Sequence, residues 1–267
     1  MPGATSDRPN THGMKNIKTK FDKHDIPDLP KVVFEGRIVT VISEDEAERA
    51  VNYLLTQPIL GLDTETKPRF KPGGGMNKVA LLQVSTPEVC FLFRLNRIGI
   101  PPCIIRLLED RDIIKIGLSW HDDIMQLQRR QHFEPGTFVE LQQLVQILGI
   151  KDMSLQKIYA NLFAQKISKS QRLTNWEADA LTPGQQVYAA TDAWACIQIY
   201  REVLRLDETR DFTLEVIPEP EPPQPRKVQE EEAVKPEPES TRKNKARKPR
   251  RPYRPRARKP KNTDKSA

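Results

Sequence analysis

Three cysteines in 267 residues, Cys90, Cys103 and Cys196, form no CxxC pair and no even set. That supports neither a zinc site nor a disulfide framework, and it reads as buried free thiols in a reducing compartment. Long apolar runs are missing too. The first twenty residues carry Lys15, Lys18 and Lys20 but no apolar stretch of the kind a secretory signal needs, and no later run is long enough to span a bilayer. A soluble intracellular protein, cytoplasmic or nuclear and without membrane partners, is the expectation. Three of the 12 glycines are spent together at Gly73-Gly74-Gly75. No GK[ST] helix start follows them, so the triplet is read as a hairpin loop and not as a phosphate cradle.

Acidic side chains almost vanish at one end. From residue 240 onward thirteen Lys and Arg face a single acid, Asp264, which leaves 30 basic against 35 acidic side chains in residues 1–239. The net charge of +7 is therefore a property of the tail. Eleven of the 23 prolines lie between Pro218 and Pro260, first among glutamates and then among lysines and arginines. Such a segment buries too little apolar surface to offset its chain entropy, so disorder is expected. Residues 1–28, polar and aperiodic, read as a flexible N-terminal arm. Residues 29–215 read as one α/β domain, and residues 216–267 as a disordered Pro-rich tail, strongly basic from 240.

Within the domain, β-branched runs at Lys31-Val32-Val33-Phe34 and Ile38-Val39-Thr40-Val41 suit strands. Ser43 followed by Glu46 predicts a capping box at the start of a helix over 44–57. Strands are expected at 59–63, 79–84 and 89–95, then a helix at 101–109 and a strand at 113–118. A helix over 120–130, a short strand at 137–139, helices at 141–148 and 154–163, and a long helix from 182 ending near 207 complete the pattern. Strands followed by alternating helices and strands imply a mixed sheet flanked by helices.

Three acidic sites stand out. Asp63 and Glu65 end an apolar strand and are two apart, so the strand sends both to one face. Asp122 and Asp123 lie where a helix begins, a position where acids are also common caps or dipole partners. Tyr188 and Asp192 are four apart on the long helix and stack on one side of it. Each is ordinary alone: a solvated strand end, a cap, a packed tyrosine. Together they offer the oxygen ligands with which two divalent ions, Mg²⁺ or Mn²⁺, would cleave a phosphodiester.

From about residue 59 to 204 the chain resembles the 3′–5′ exonuclease family with four acidic ligands and a tyrosine, the DEDDy group. That group includes ribonuclease D and the Werner syndrome exonuclease domain, and the Werner type is the nearer. Leu62-Asp63-Thr64-Glu65 resembles the first motif, followed by the strand Lys78-Val79-Ala80-Leu81-Leu82-Gln83-Val84. Lys115-Ile116-Gly117, with Asp123 and Leu127 beyond, resembles the second. Leu181-Thr182-Pro183 through Tyr188-Ala189-Ala190-Thr191-Asp192-Ala193 resembles the third, and Ser168-Lys169-Ser170 and Asn175-Trp176 also fall in familiar places.

The resemblance implies a ribonuclease H-like fold with a mainly five-stranded mixed sheet. It implies that Asp63, Glu65 and Asp192 hold the metal that activates water, that Asp63 bridges to a second ion, and that Asp123 supports that second ion. Asp122 then reads as a helix cap. Tyr188 would align the attacking water, since a phenol with a pKa near 10 is a poor base at neutral pH. Nucleoside 5′-monophosphates would leave from the 3′ end, with DNA favoured and RNA possible. Two rivals remain open. One is ribonuclease D-like RNA trimming, against which the absence of a further helical domain after Asp207 counts; the other is a non-catalytic nucleic-acid-binding adaptor. The tail over 242–261 would grip phosphates without reading sequence, or else serve solubility or localisation.

Overall fold

A computed structural model describes residues 14–69 and 77–218. The elements run β1 (Lys15–Lys18), β2 (Arg37–Val41), α1 (Glu44–Leu54), β3 (Ile59–Thr66), β4 (Val79–Ser85) and β5 (Val89–Phe93). Then come α2 (Leu95–Ile98), α3 (Pro102–Glu109), β6 (Ile114–Gly117), α4 (Trp120–Gln128) and β7 (Phe138–Glu140). Finally α5 (Leu141–Leu144), α6 (Leu155–Phe163), α7 (Pro183–Thr209) and β8 (Phe212–Glu215) close the domain.

Six strands lie side by side in the order β2-β5-β4-β3-β6-β7. The parallel pairs β2/β5, β3/β6 and β6/β7 and the antiparallel pairs β3/β4 and β4/β5 make β4 the one strand running against the rest. Every residue of β4 is buried, which explains its nearly unbroken apolar text, since a central strand covered on both faces has no polar side. On one face Leu60 and Leu62 of β3 pack with α1, α3 and α4 through Leu54, Leu107 and Leu127. Each such side chain contributes about 1.5–3 kcal/mol on burial. On the other face α7 runs across the sheet, its alanines Ala189, Ala190 and Ala193 clustered with Leu81 and Leu92.

The predicted capping box is present. Glu46 N–H donates to Ser43 Oγ at 3.3 Å, and the Glu46 carboxylate accepts from Ser43 N at 3.2 Å. Cys90, Cys103 and Cys196 are free and buried.

Three expectations need correction. The arm over 1–28 is folded where it is described. β1 pairs in parallel with β8, Ile17 is fully buried, and Asn161 bonds both Lys18 N (2.9 Å) and Lys18 O (2.7 Å). Ile17 is the sole apolar residue of that strand, so no periodicity betrayed it. Lys31–Phe34 forms no ladder beyond one bridge from Lys31 to Lys166. Instead Phe34 N–H donates to Thr191 Oγ1 at 3.0 Å, holding the segment against α7. The sheet also has six strands, because Arg37–Val41 adds to the edge beside β5. Residues 1–13, the glycine triplet and the basic tail lie outside the described residues.

Candidate metal centre

Gly61 sets how the site is built. A β-carbon there would lie 2.0 Å from the backbone oxygen of Ala193, so any larger residue would push α7 away from β3. Glycine on the strand and buried alanines on the helix let the two backbones meet. Asp192, one residue before Ala193, is thereby carried to the end of β3. Two residues beyond Gly61 on the same strand face comes Asp63, and two further Glu65.

The sequence-predicted trio converges. Asp63, Glu65 and Asp192 each offer a carboxylate oxygen, and these oxygens all lie within 4.8 Å of one another. Glu65 and Asp192 are only 9% and 6% exposed. One helical turn before Asp192, Tyr188 brings its hydroxyl close enough to the Asp192 carboxylate to act on its acidity. Its ring sits 6.0 Å from that of Trp176. A hollow of about 420 Å³ lies beside Tyr188, lined also by Thr191, Gly184 and Ser170 and by none of the three acids.

Asp123 stands next to the trio and outside it. Thr64, whose side chain leaves β3 on the face opposite Asp63, donates its hydroxyl hydrogen to Asp123 Oδ1 at 2.6 Å. Asp123 is still near enough for its charge to act on Asp63 and Glu65. The expectation that Asp122 caps α4 is overturned. Asp122 lies exposed inside the first turn, and the cap is Glu140, whose carboxylate accepts from Ser119 N (3.0 Å) and Trp120 N (2.9 Å). Glu140 comes from the end of β7, 20 residues along the chain from Trp120, so no local spacing announces it. Thr64 was equally unmarked, although its place between the two acids of the first motif was a signal.

Burial first, then repulsion from Asp192 and Asp123, raises the Asp63 carboxyl well above the usual carboxylate range. Burial and the neighbouring Asp63 raise Glu65 as well. Asp192 is also raised by burial, against the Tyr188 hydrogen bond and the Lys169 charge. Asp123 is pushed up to about 6 by burial, with the Thr64 bond opposing. Burial and the charges of Asp192 and Glu65 drive the Tyr188 phenol far up, so it stays protonated at neutral pH. A set of buried oxygen donors that resists its own ionisation suits a hard divalent cation, and Asp63, Glu65 and Asp192 are the residues able to hold one. Two cations reach the set from outside: Arg172 acts on Glu65 and Lys169 on Asp192, and both are exposed.

Among the described residues no helix is long and apolar enough to cross a membrane. Comparison with known proteins matches residues 38–206, which contain all five predicted site residues, to the 3′–5′ exonuclease family. The chain is 35% identical over 165 residues to exonuclease 3′-5′ domain-containing protein 2 of Drosophila melanogaster, covering 60% of this chain and 28% of that protein. It is 31% identical over 195 residues to the mouse bifunctional 3′-5′ exonuclease/ATP-dependent helicase WRN, covering 68% and 14%. A 3′-5′ exonuclease of Arabidopsis thaliana is 28% identical over 188 residues, with 65% of each covered. The chain thus spans between 14% and 65% of the length of these relatives. Its fold is like that of the Aedes aegypti Nibbler EXO domain, with a TM-score of 0.59 at 22% identity over 65% of this chain and 90% of that one. Escherichia coli RNase D has the same kind of fold, at a TM-score of 0.57 and 20% identity over 65% and 45%. With the family profile covering the acidic motifs and all but the first residue of the six-stranded sheet, this chain belongs to the 3′–5′ exonuclease family.

Proposed function

We propose that this protein is a metal-dependent 3′–5′ exonuclease of ribonuclease H-like fold, acting on nucleic acid with DNA favoured over RNA. The observation that carries the reading is the meeting of Asp63, Glu65 and Asp192 within 4.8 Å inside the family domain. The strand order β5-β4-β3-β6-β7, with only its second member reversed, supports the fold reading. The preference for DNA rests on the Werner-like third motif and on the 31% identity to the mouse protein.

Asp63, Glu65 and Asp192 would hold one Mg²⁺ or Mn²⁺, and Asp63 together with Asp123, anchored on Thr64, would serve a second. When bound, the two ions supply charge neutralisation on the phosphoryl oxygens, an acidified water and relief for the departing oxygen. Tyr188, held protonated, cannot act as a base, and its hydroxyl would orient the water by a hydrogen bond without removing its hydrogen. Lys169 and Arg172 place positive charge where the phosphate arrives. Water adds across the last phosphodiester. Its oxygen joins phosphorus, the 3′ oxygen of the penultimate sugar leaves with a proton, and a nucleoside 5′-monophosphate departs. The basic stretch over 242–261 adds sequence-independent grip on the backbone.

Oligonucleotides of DNA and of RNA, labelled at either end and supplied with Mg²⁺, Mn²⁺ or EDTA, test this. Mononucleotide release from the 3′ end with metal, none in EDTA, and none from Asp63→Ala or Asp192→Ala is expected. Binding without release would leave the adaptor reading in its place, and faster trimming of RNA would reverse the substrate preference.

A further inference from the structure

Gln83 is the polar residue in the middle of β4, fully buried in a strand whose other polar residue is the terminal Ser85. In the antiparallel ladder it stands directly opposite Asp63. Directly opposed residues emerge on the same face, with β-carbons about 4.5–5.5 Å apart. The side chains of Gln83 and Asp63 therefore share the sheet face that α7 covers. Neither the amide nitrogen nor the amide oxygen of Gln83 has a hydrogen-bond partner among the described residues. A buried amide without partners carries a desolvation cost that an apolar side chain of the same shape would avoid. An unmade bond on the strand position directly opposite a candidate metal ligand suggests that the two side chains belong together when the site is filled.

We propose that Gln83 is a positioning residue for Asp63. With a divalent cation in the site, the Asp63 oxygen turned away from it would accept a hydrogen bond from the Gln83 amide. Carboxylates that ligate metals are commonly held in this way by an outer hydrogen bond. The amide is a fitting choice for that task. It brings a donor without adding a positive charge that would compete with the cation, and it needs no proton exchange at any working pH. Leu81 and Leu92 flank it on the neighbouring positions of the same face, which keeps bulk water from substituting for the donor. The proposal rests on the reading of Asp63 as a metal ligand.

Gln83→Met keeps the length and the burial while removing both polar atoms. Two readouts test the proposal in the intact protein. Mn²⁺ affinity, measured by calorimetry or by the electron paramagnetic resonance of free Mn²⁺, should weaken about tenfold or more. The thermal midpoint of the same variant in EDTA should stay equal or rise. A merely structural glutamine would give the opposite pair, a lower midpoint with Mn²⁺ affinity intact. In the unmodified protein the Gln83 side-chain amide resonances, assigned by their loss in the variant, should shift and become protected from exchange when Mg²⁺ is added. Unchanged Mn²⁺ affinity in Gln83→Met, or amide signals indifferent to Mg²⁺, would overturn the inference. Failure of the unmodified protein to bind Mn²⁺ at all would instead overturn the metal-centre reading beneath it.

Discussion

Without a cation the acidic trio should weaken the fold, and Asp63→Asn measures by how much. Two fully ionised carboxylates 4.8 Å apart repel by about 3.5 kcal/mol at an effective dielectric near 20. Asp63 faces two such neighbours, so complete ionisation would cost about 7 kcal/mol through that residue alone. Retaining a proton on a carboxyl of ordinary acidity costs about 4–5 kcal/mol near pH 7.5, which is cheaper. The metal-free protein therefore keeps protons in the cluster and carries most of that smaller penalty. An asparagine fits the same space with no charge to suppress, and relaxation of the neighbours trims the benefit to about 2–4 kcal/mol. For a domain of this size that is a rise in melting midpoint of roughly 4–16 °C in EDTA. Adding Mn²⁺ should close most or all of the gap. At a hundred times its dissociation constant the ion stabilises the unmodified protein by about 2.7 kcal/mol, and the variant little or not at all. Calorimetric scans of both proteins, with EDTA and with Mn²⁺, give the four midpoints. A lower midpoint for Asp63→Asn in EDTA would show that the carboxylates are held by partners other than a cation, and the reasoning would fall.

Four further outcomes can be checked. Since Asp63, Glu65, Asp123 and Asp192 are all raised in the folded state, the fold binds more protons than the unfolded chain. Metal-free stability should therefore fall as pH rises above about 4 and through about 6, where Asp123 titrates; urea titrations from pH 4.5 to 8 that show stability rising would contradict it. Gly61→Ala forces α7 off β3 and should cost about 1–3 kcal/mol while abolishing nucleotide release, both readable on one purified sample. Tyr188→Phe keeps the ring but loses the hydroxyl beside Asp192, and should lower kcat roughly 100-fold with KM little changed. Replacing Lys169 and Arg172 together with alanine should raise KM several-fold and flatten its dependence on salt, with Mn²⁺ affinity preserved.

What could be read from the chain was whatever a single element repeats. Asp63 and Glu65 share a face because strands alternate, and Tyr188 meets Asp192 because a helix turns in just under four residues. Relations between elements left fainter marks. Thr64 finds Asp123 59 positions away, and Glu140 reaches α4 from β7, displacing the local acid Asp122 as cap. The run Lys31–Phe34 has strand composition but no vacant sheet edge, because Arg37–Val41 occupies the place beside β5. Propensity describes a segment, whereas a ladder also needs a free neighbour. The N-terminal strand went unseen for a related reason: its partner lies nearly two hundred residues downstream.

That parallel pairing of β1 with β8 acts as a clasp at the far end of the helix bearing Tyr188 and Asp192. The stretch that enters the domain and the stretch that leaves it are tied edge to edge, with Lys15 bonded to Glu202 on the helix between them. Cutting away either strand would strip its mate of a partner and loosen the last turns of the same rod that carries half the chemistry. The two margins of the domain therefore stand or fall as one unit, and trimming one in the name of tidiness would be felt at Asp192, about 25 Å back along the helix.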